Sequence, residues 1–199
     1  EPEYQKKMNK RIQSRLRSAH LRGCPQELTN CVDSAEREYL PRGITETLST
    51  LDFIDSGLNV CILGPSDSGK SYLAKAIGIV ACNNYKVEYH HCEPLLEELV
   101  ALKAVDYSKY QKRLKKTCGA ALLILDDFLL HTITDEREVK ILFEILEKRC
   151  EINLSTIICS QREPASWSSM ILNDEVSANA ILKRATKHYT VVIKPGTTA

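Results

Sequence analysis

The sequence predicts an α/β fold in which a five-stranded parallel sheet is flanked by helices. Three observations predict it. Short runs suited to strands recur at 58–63, 87–91, 120–125, 155–159 and 189–193. Stretches with helical spacing separate them. The run at 120–125 contains no polar residue, as a strand covered on both faces requires. Strands that alternate with helices build parallel sheets through right-handed crossovers.

The elements follow in order. Residues 4–22 form a basic segment with Met8, Ile12 and Leu16 on one helical face and Lys6, Lys7, Lys10, Arg11, Arg15, Arg17 and Arg22 around it. Residues 23–43 read as irregular, with breakers at Gly23-Cys24-Pro25 and Pro41-Arg42-Gly43. Residues 1–43 are thus expected to be a basic helix and linker leading into a core at 44–199. In that core, 44–56 reads as a helix and Leu58–Leu63 as the first strand. A helix from Lys70 to about Cys82 and a strand at Val87–His91 come next. Two helices are predicted at roughly 93–104 and 107–117, then the strand Ala120–Leu125. Asp135–Cys150 is a helix with Val139, Leu142, Phe143 and Leu146 on one face, started by Asp135 and Glu138. Ser155–Cys159 is a buried strand, one or two helices fill 163–186, and Tyr189–Ile193 is the last strand.

Composition narrows the function classes. The 199 residues are 43% apolar and 27% charged, as in an ordinary globular domain, and the net charge of +1 leaves local charge distribution to decide about nucleic acid. None of the eight cysteines forms a C-x-x-C pair, so they read as reduced thiols, and the five histidines lack metal-ligand spacing. No apolar stretch is long enough to span a bilayer, so no membrane partner and a cytoplasmic location are expected. The first residue is not Met, and a partner-binding domain is expected before Glu1.

One motif carries the chemistry. Gly64-Pro65-Ser66-Asp67-Ser68-Gly69-Lys70-Ser71 matches G-x-x-x-x-G-K-[S/T], after a predicted strand and at the start of a predicted helix. Gly64 and Gly69 let backbone N–H groups close on phosphate oxygens, and the helix that continues through Tyr72 aims its dipole at them. Lys70 supplies charge to the β- and γ-phosphates, and the Ser71 hydroxyl suits Mg²⁺. The expected ligands are therefore ATP and Mg²⁺. Asp67, a carboxylate beside phosphates, is expected to point outward. A second apolar strand ends in Asp126-Asp127. Strand C-termini line the ligand crevice of a parallel sheet, so Asp126 would hold the metal through water and Asp127 would polarise or deprotonate the attacking water. The run Thr156–Gln161 is a third strand with a polar end, where Ser160 or Gln161 could face the γ-phosphate or could cap the strand.

These motifs occur in the order of an AAA+ core, and the detail resembles the IstB/DnaC branch of transposition helpers and helicase loaders. The matching stretches are Thr47–Gly78, Leu122–Phe128, Ser155–Gln161 and Ala178–Arg184, and the spacing agrees from about residue 10 to 194. IstB is the more similar, through TLDFI-x-x-G-x-NV and STII-x-SQ. The resemblance implies a bacterial-type, nucleoid-associated homo-oligomer, a ring or filament on DNA, whose partner is a transposase or a replicative helicase. It implies a site completed by a neighbouring subunit's arginine, with Arg184 first and Arg149 second. It implies slow hydrolysis, stimulated by DNA and assembly, because Asp127 is shorter than the usual glutamate. Only six residues follow Ile193, so no C-terminal helical lid is expected.

DNA contact is expected from Lys109, Lys112, Arg113, Lys115 and Lys116, with Lys103, Tyr107 and Tyr110 in the same segment. A solvated helix face is the alternative. The leading functional expectation is an ATPase that oligomerises on DNA and regulates or recruits a transposase. A helicase loader, an ATP-gated scaffold with little hydrolysis and, last, a small-molecule kinase are its rivals.

Overall fold

The computed structural model describes residues 2–171 and 175–196, and among these the sheet has six strands, one more than expected. They are β1 (Arg37–Leu40), β2 (Val60–Leu63), β3 (Val87–His91), β4 (Leu122–Asp126), β5 (Ser155–Ser160) and β6 (Tyr189–Pro195). Their spatial order is β1-β6-β2-β5-β4-β3. Five strands pair in parallel, and β1 pairs antiparallel with β6. The added strand falls in the segment read as irregular. It is four residues long, lies at an edge and buries only Tyr39, so it shows neither an apolar run nor a long alternation. Charged residues such as Arg37 and Glu38 suit an edge, where they discourage pairing with another chain.

The helices are α1 (Pro2–Ser18), α2 (Ile44–Ser49), α3 (Asp52–Asp55), α4 (Lys70–Ala81), α5 (Cys92–Val105), α6 (Tyr107–Cys118), α7 (Glu136–Glu151) and α8 (Glu175–Ala185). The single helix expected over 44–56 is two, because Leu51 turns the chain with a φ of 63°. The 163–186 region holds a 3₁₀ stretch, Pro164–Met170, before α8.

Two apolar layers sandwich the sheet. Val60, Ile62, Leu122, Ile124, Ile157 and Cys159 face one, with α4 and the lead-in residues Ala19, Leu21 and Cys31. Cys61, Leu63, Leu123, Leu125 and Ile158 face the other, with α5, α6, α7 and α8. The faces alternate along each strand, and both are covered, which is why the central strands read as unbroken apolar runs. Asn59, just before β2, ties this frame together. Its side chain donates to Arg184 O at 2.8 Å and accepts from Thr156 N–H at 2.9 Å, and its own N–H donates to His188 Nδ1 at 2.9 Å. Burial, helped by the Lys187 charge, lowers the pKa of His188 and favours the neutral ring that can accept this bond.

Among the described residues no helix is long and apolar enough to cross a membrane. The eight cysteines are all free.

Candidate nucleotide-binding site

β2 delivers the chain at Gly64 into a tight loop that opens α4 at Lys70. Gly69 caps the helix with a φ of 98°, a conformation that costs glycine little and a β-carbon-bearing residue much. Asp67 is also left-handed, at 59°, but exposed, and Ser66 Oγ donates to its carboxylate at 3.4 Å. Lys70 is buried and donates one bond, to Pro65 O at 2.6 Å, so two ammonium protons remain for a ligand. Burial lowers its pKa, and the charges of Cys159, Asp126, Asp127 and Asp67 oppose that shift.

The second half of the site comes from β4 and its neighbour β3. Asp126 is fully buried. One of its oxygens accepts from the Tyr89 hydroxyl and the other from Asp127 N–H at 2.9 Å. Burial and the Asp126 carboxylate push the Tyr89 phenol far above its usual pKa, so it stays a donor. Asp127 leaves the strand with a φ of 53° and places Oδ2 2.8 Å from His91 Nδ1. Sequence reasoning missed both Tyr89 and His91. Their partnership follows from the β3–β4 register, which sets His91 opposite Asp126, and the one local hint was a strand ending in Tyr-His-His.

These parts converge. Ser66, Asp67, Gly69, Lys70, Ser71, Tyr72, Asp127 and Gln161 line one open cleft of about 330 Å³. Gly64 and Pro65 form the base of the loop, with Gly64 N–H donating to Ser160 O at 3.4 Å. The Tyr72 hydroxyl accepts from Glu27 N–H at 3.2 Å and Asn30 Nδ2 at 3.3 Å, which joins the loop helix to the lead-in segment. The donor set fits a phosphate chain. The Ser68 hydroxyl is buried inside the loop without a partner, and Lys70 is aimed along it. Ser71 and Asp126 are hard oxygen donors of the kind Mg²⁺ takes.

Two expected residues do not reach the cleft. Ser160 is buried, its hydroxyl donating to Phe128 O at 2.8 Å and accepting from Arg162 N–H at 3.1 Å, so it braces the end of β5 and leaves Gln161 as the lining residue. Arg149 is no surface cation either. It is buried and donates to Thr156 Oγ1 and to the carbonyls of Thr117, Cys118, Ala120 and Ser155, clamping α7 to the bottoms of β4 and β5. Burial draws its pKa down to about 10. A side chain so enclosed cannot extend into a neighbouring subunit.

Arg184 lies at the rim of the sheet opposite its own loop, since Asn59 at the start of β2 holds its carbonyl. Its guanidinium stacks over Phe143 and pairs with Glu147 at 3.2 Å. Among the expected DNA contacts, Arg113 is largely enclosed and bound to Glu88 and Glu98, which removes it from an accessible face. Lys116 pairs with Glu88 at 2.8 Å and Lys109 with Asp106 at 3.3 Å. Lys112 and Lys115 are exposed and make no ion pair among the described residues.

A parallel sheet carrying a phosphate-type loop after β2 and paired acids after β4 defines a P-loop ATP-binding domain of the AAA+ class. The family model described as IstB-like ATP binding protein matches residues 1–197, and the chain belongs to that family. It is 38% identical over 177 residues to the insertion sequence ATP-binding protein y4uH of Sinorhizobium fredii, covering 88% of this chain and 68% of that one. It is 30% identical over 183 residues to the IS21 ATP-binding protein of Pseudomonas aeruginosa, covering 91% and 66%. In fold it is similar to the DnaC helicase loader, with a TM-score of 0.65 and 20% identity over 86% of this chain and 98% of that one. The replication initiator DnaA, in a structure with AMPPCP and single-stranded DNA, aligns with a TM-score of 0.68 and 21% identity over 86% of this chain and 50% of that one.

Proposed function

We propose that the protein is an ATPase that assembles on DNA and assists an insertion-sequence transposase. The observation that carries the reading is the single cleft shared by Lys70, Ser71, Asp127 and Gln161, with Asp126 buried behind it. Loop N–H groups and Lys70 would bind the triphosphate, and Ser71 with Asp126 would hold Mg²⁺, which would supply neutralisation of the phosphate charge. Asp127 would orient water for attack on the γ-phosphorus. The bond from that phosphorus to the ADP oxygen breaks, and the water proton passes through Asp127 to solvent.

Beside Asp127 and Gln161, at the γ-phosphate end, no arginine lines the cleft among the described residues. The Arg184 carbonyl is held at the end of β2 away from the loop, one four-residue strand at about 3.3 Å per residue, and its guanidinium is turned onto Phe143 and Glu147 of α7. That separation supports a cation donated to the next subunit's cleft, and with it an oligomer as the active form. Insertion-sequence relatives favour a transposase over a helicase as partner. ATP turnover measured with and without double-stranded DNA tests the reading, and stimulation by DNA is expected. Assembly in ATP without phosphate release, even on DNA, would establish a scaffold instead.

A further inference from the structure

We infer that Arg37, on the edge strand β1, is a nucleotide-binding residue that contacts the α-phosphate and ribose end of the bound nucleotide. The inference rests on the cleft being the nucleotide site. The guanidinium lies directly on the phosphate loop: a β-carbon built on Gly69 would come within 2.8 Å of Arg37 Cζ and 3.0 Å of its Nε and Nη1. Arg37 pairs with no carboxylate among the described residues, unlike Arg113, Arg137 and Arg184. A cation placed against a loop of phosphate-binding amides, with its charge unanswered, is arranged for an anion.

A second observation points the same way. Tyr39 shares a face of β1 with Arg37, since side chains two apart on a strand align. It is 2% exposed. The polar groups beside it are Arg37 and the Cys31 thiol. The Tyr39 hydroxyl interacts with both, which braces the Arg37 guanidinium beside the loop.

The sheet order decides which end of the nucleotide Arg37 meets. β4, with Asp126 and Asp127, lies two strands from β2 on one side, and β1 lies two strands from β2 on the other. The acids mark the γ-phosphate end, so Arg37 flanks the loop at the opposite end. Tyr72 and its lead-in partners Glu27 and Asn30 stand beside the same helix start. Arg37 therefore reads the part of the ligand that ADP and ATP have in common.

Calorimetric titration of ADP and of AMPPCP, each with Mg²⁺, into wild type, Arg37→Gln, Arg37→Lys and Lys70→Ala tests this. Arg37→Gln is expected to weaken both ligands by the same factor, about tenfold or more, with partial recovery in Arg37→Lys. Melting without nucleotide and the rise in melting temperature on adding ADP separate misfolding from a missing ligand interaction. In a folded Arg37→Gln the unliganded melt is unchanged and the rise shrinks. Wild-type affinity in Arg37→Gln overturns the inference, as does a loss confined to AMPPCP, which would put Arg37 at the γ-phosphate. If Lys70→Ala binds as well as wild type, the cleft reading itself fails, whatever Arg37 does.

Discussion

His91 Nδ1 and Asp127 Oδ2 stand 2.8 Å apart, joining the tips of two neighbouring strands across the mouth of the cleft. Asp127 is half-exposed and adopts a left-handed backbone geometry, so little else restrains its carboxylate. On the proposed role of Asp127, His91 would be a positioning residue for the group that handles water. His91→Ala is expected to lower ATP turnover by about ten- to hundredfold, the scale of a misplaced catalytic group, while ADP affinity holds. Equal losses in turnover and in ADP affinity would show that the histidine supports the loop as a whole.

Arg184 offers a test of assembly. Arg184→Ala should leave nucleotide binding to the isolated subunit intact and remove turnover on DNA. Mixing it with Asp127→Asn should restore activity, because one interface in such a mixture joins an intact cleft to an intact arginine. Mixtures as inactive as either parent, in particles shown to contain both variants, would reject a donated cation.

Lys112 and Lys115 are the cations of α6 left free by Asp106, Glu88 and Glu98. Replacing both with Ala should reduce the slope of log affinity for double-stranded DNA against log salt by up to about 0.9 for each phosphate no longer neutralised. Replacing Arg113 should instead lower the melting temperature. An unchanged salt slope in the double-lysine variant would take α6 out of the interface.

Glu88 predicts an acid sensitivity. Its carboxyl is buried, which alone would raise its pKa, but hydrogen bonds from His90 and Lys116, with the charges of His90 and Arg113, hold it at about 2 against a usual 4.5. A depressed folded value means that the stabilisation is complete above about pH 4.5 and fades as pH falls toward 2. Glu88→Gln should cost roughly 3 kcal/mol near neutrality and flatten that acid limb. Urea midpoints measured from pH 7 to 3 check it, and parallel curves for both proteins would contradict it.

Arg149 should behave as part of the core. Its five hydrogen bonds run to one hydroxyl and four carbonyls, none of them charged. Arg149→Ala leaves those buried acceptors unpaired and is expected to destabilise the fold by about 3–5 kcal/mol. Arg149→Lys cannot span the same fork and should recover little. A variant with normal urea stability would contradict this placement.

Much of this arrangement was legible because its signals are local. The Gly64–Ser71 spacing, the apolar strand before Asp126 and the helix–strand alternation each sit in one continuous stretch. The misses were non-local or weakly patterned. β1 is short, charged and at an edge, and only its pairing with β6 defines it. The Tyr89 and His91 contacts need the register between strands 35 residues apart. Arg149 and Arg184 look alike in sequence as cations near helix ends. One points into a ring of carbonyls and the other stays near the surface, and no periodicity distinguishes them. Arg113 reads as one more charge in a basic run, yet Glu88 on a neighbouring strand neutralises it.

Asn59 gives these observations a mechanical meaning. A single amide grips the last turn of α8, the root of β5 and the root of the strand that bears the phosphate loop. Any tug on Arg184 from an adjacent molecule would arrive at that root without passing through a flexible hinge. In the proposed assembly, occupancy in one protomer would reach the next as strain on a shared anchor, with each subunit acting as a stiff link in a chain.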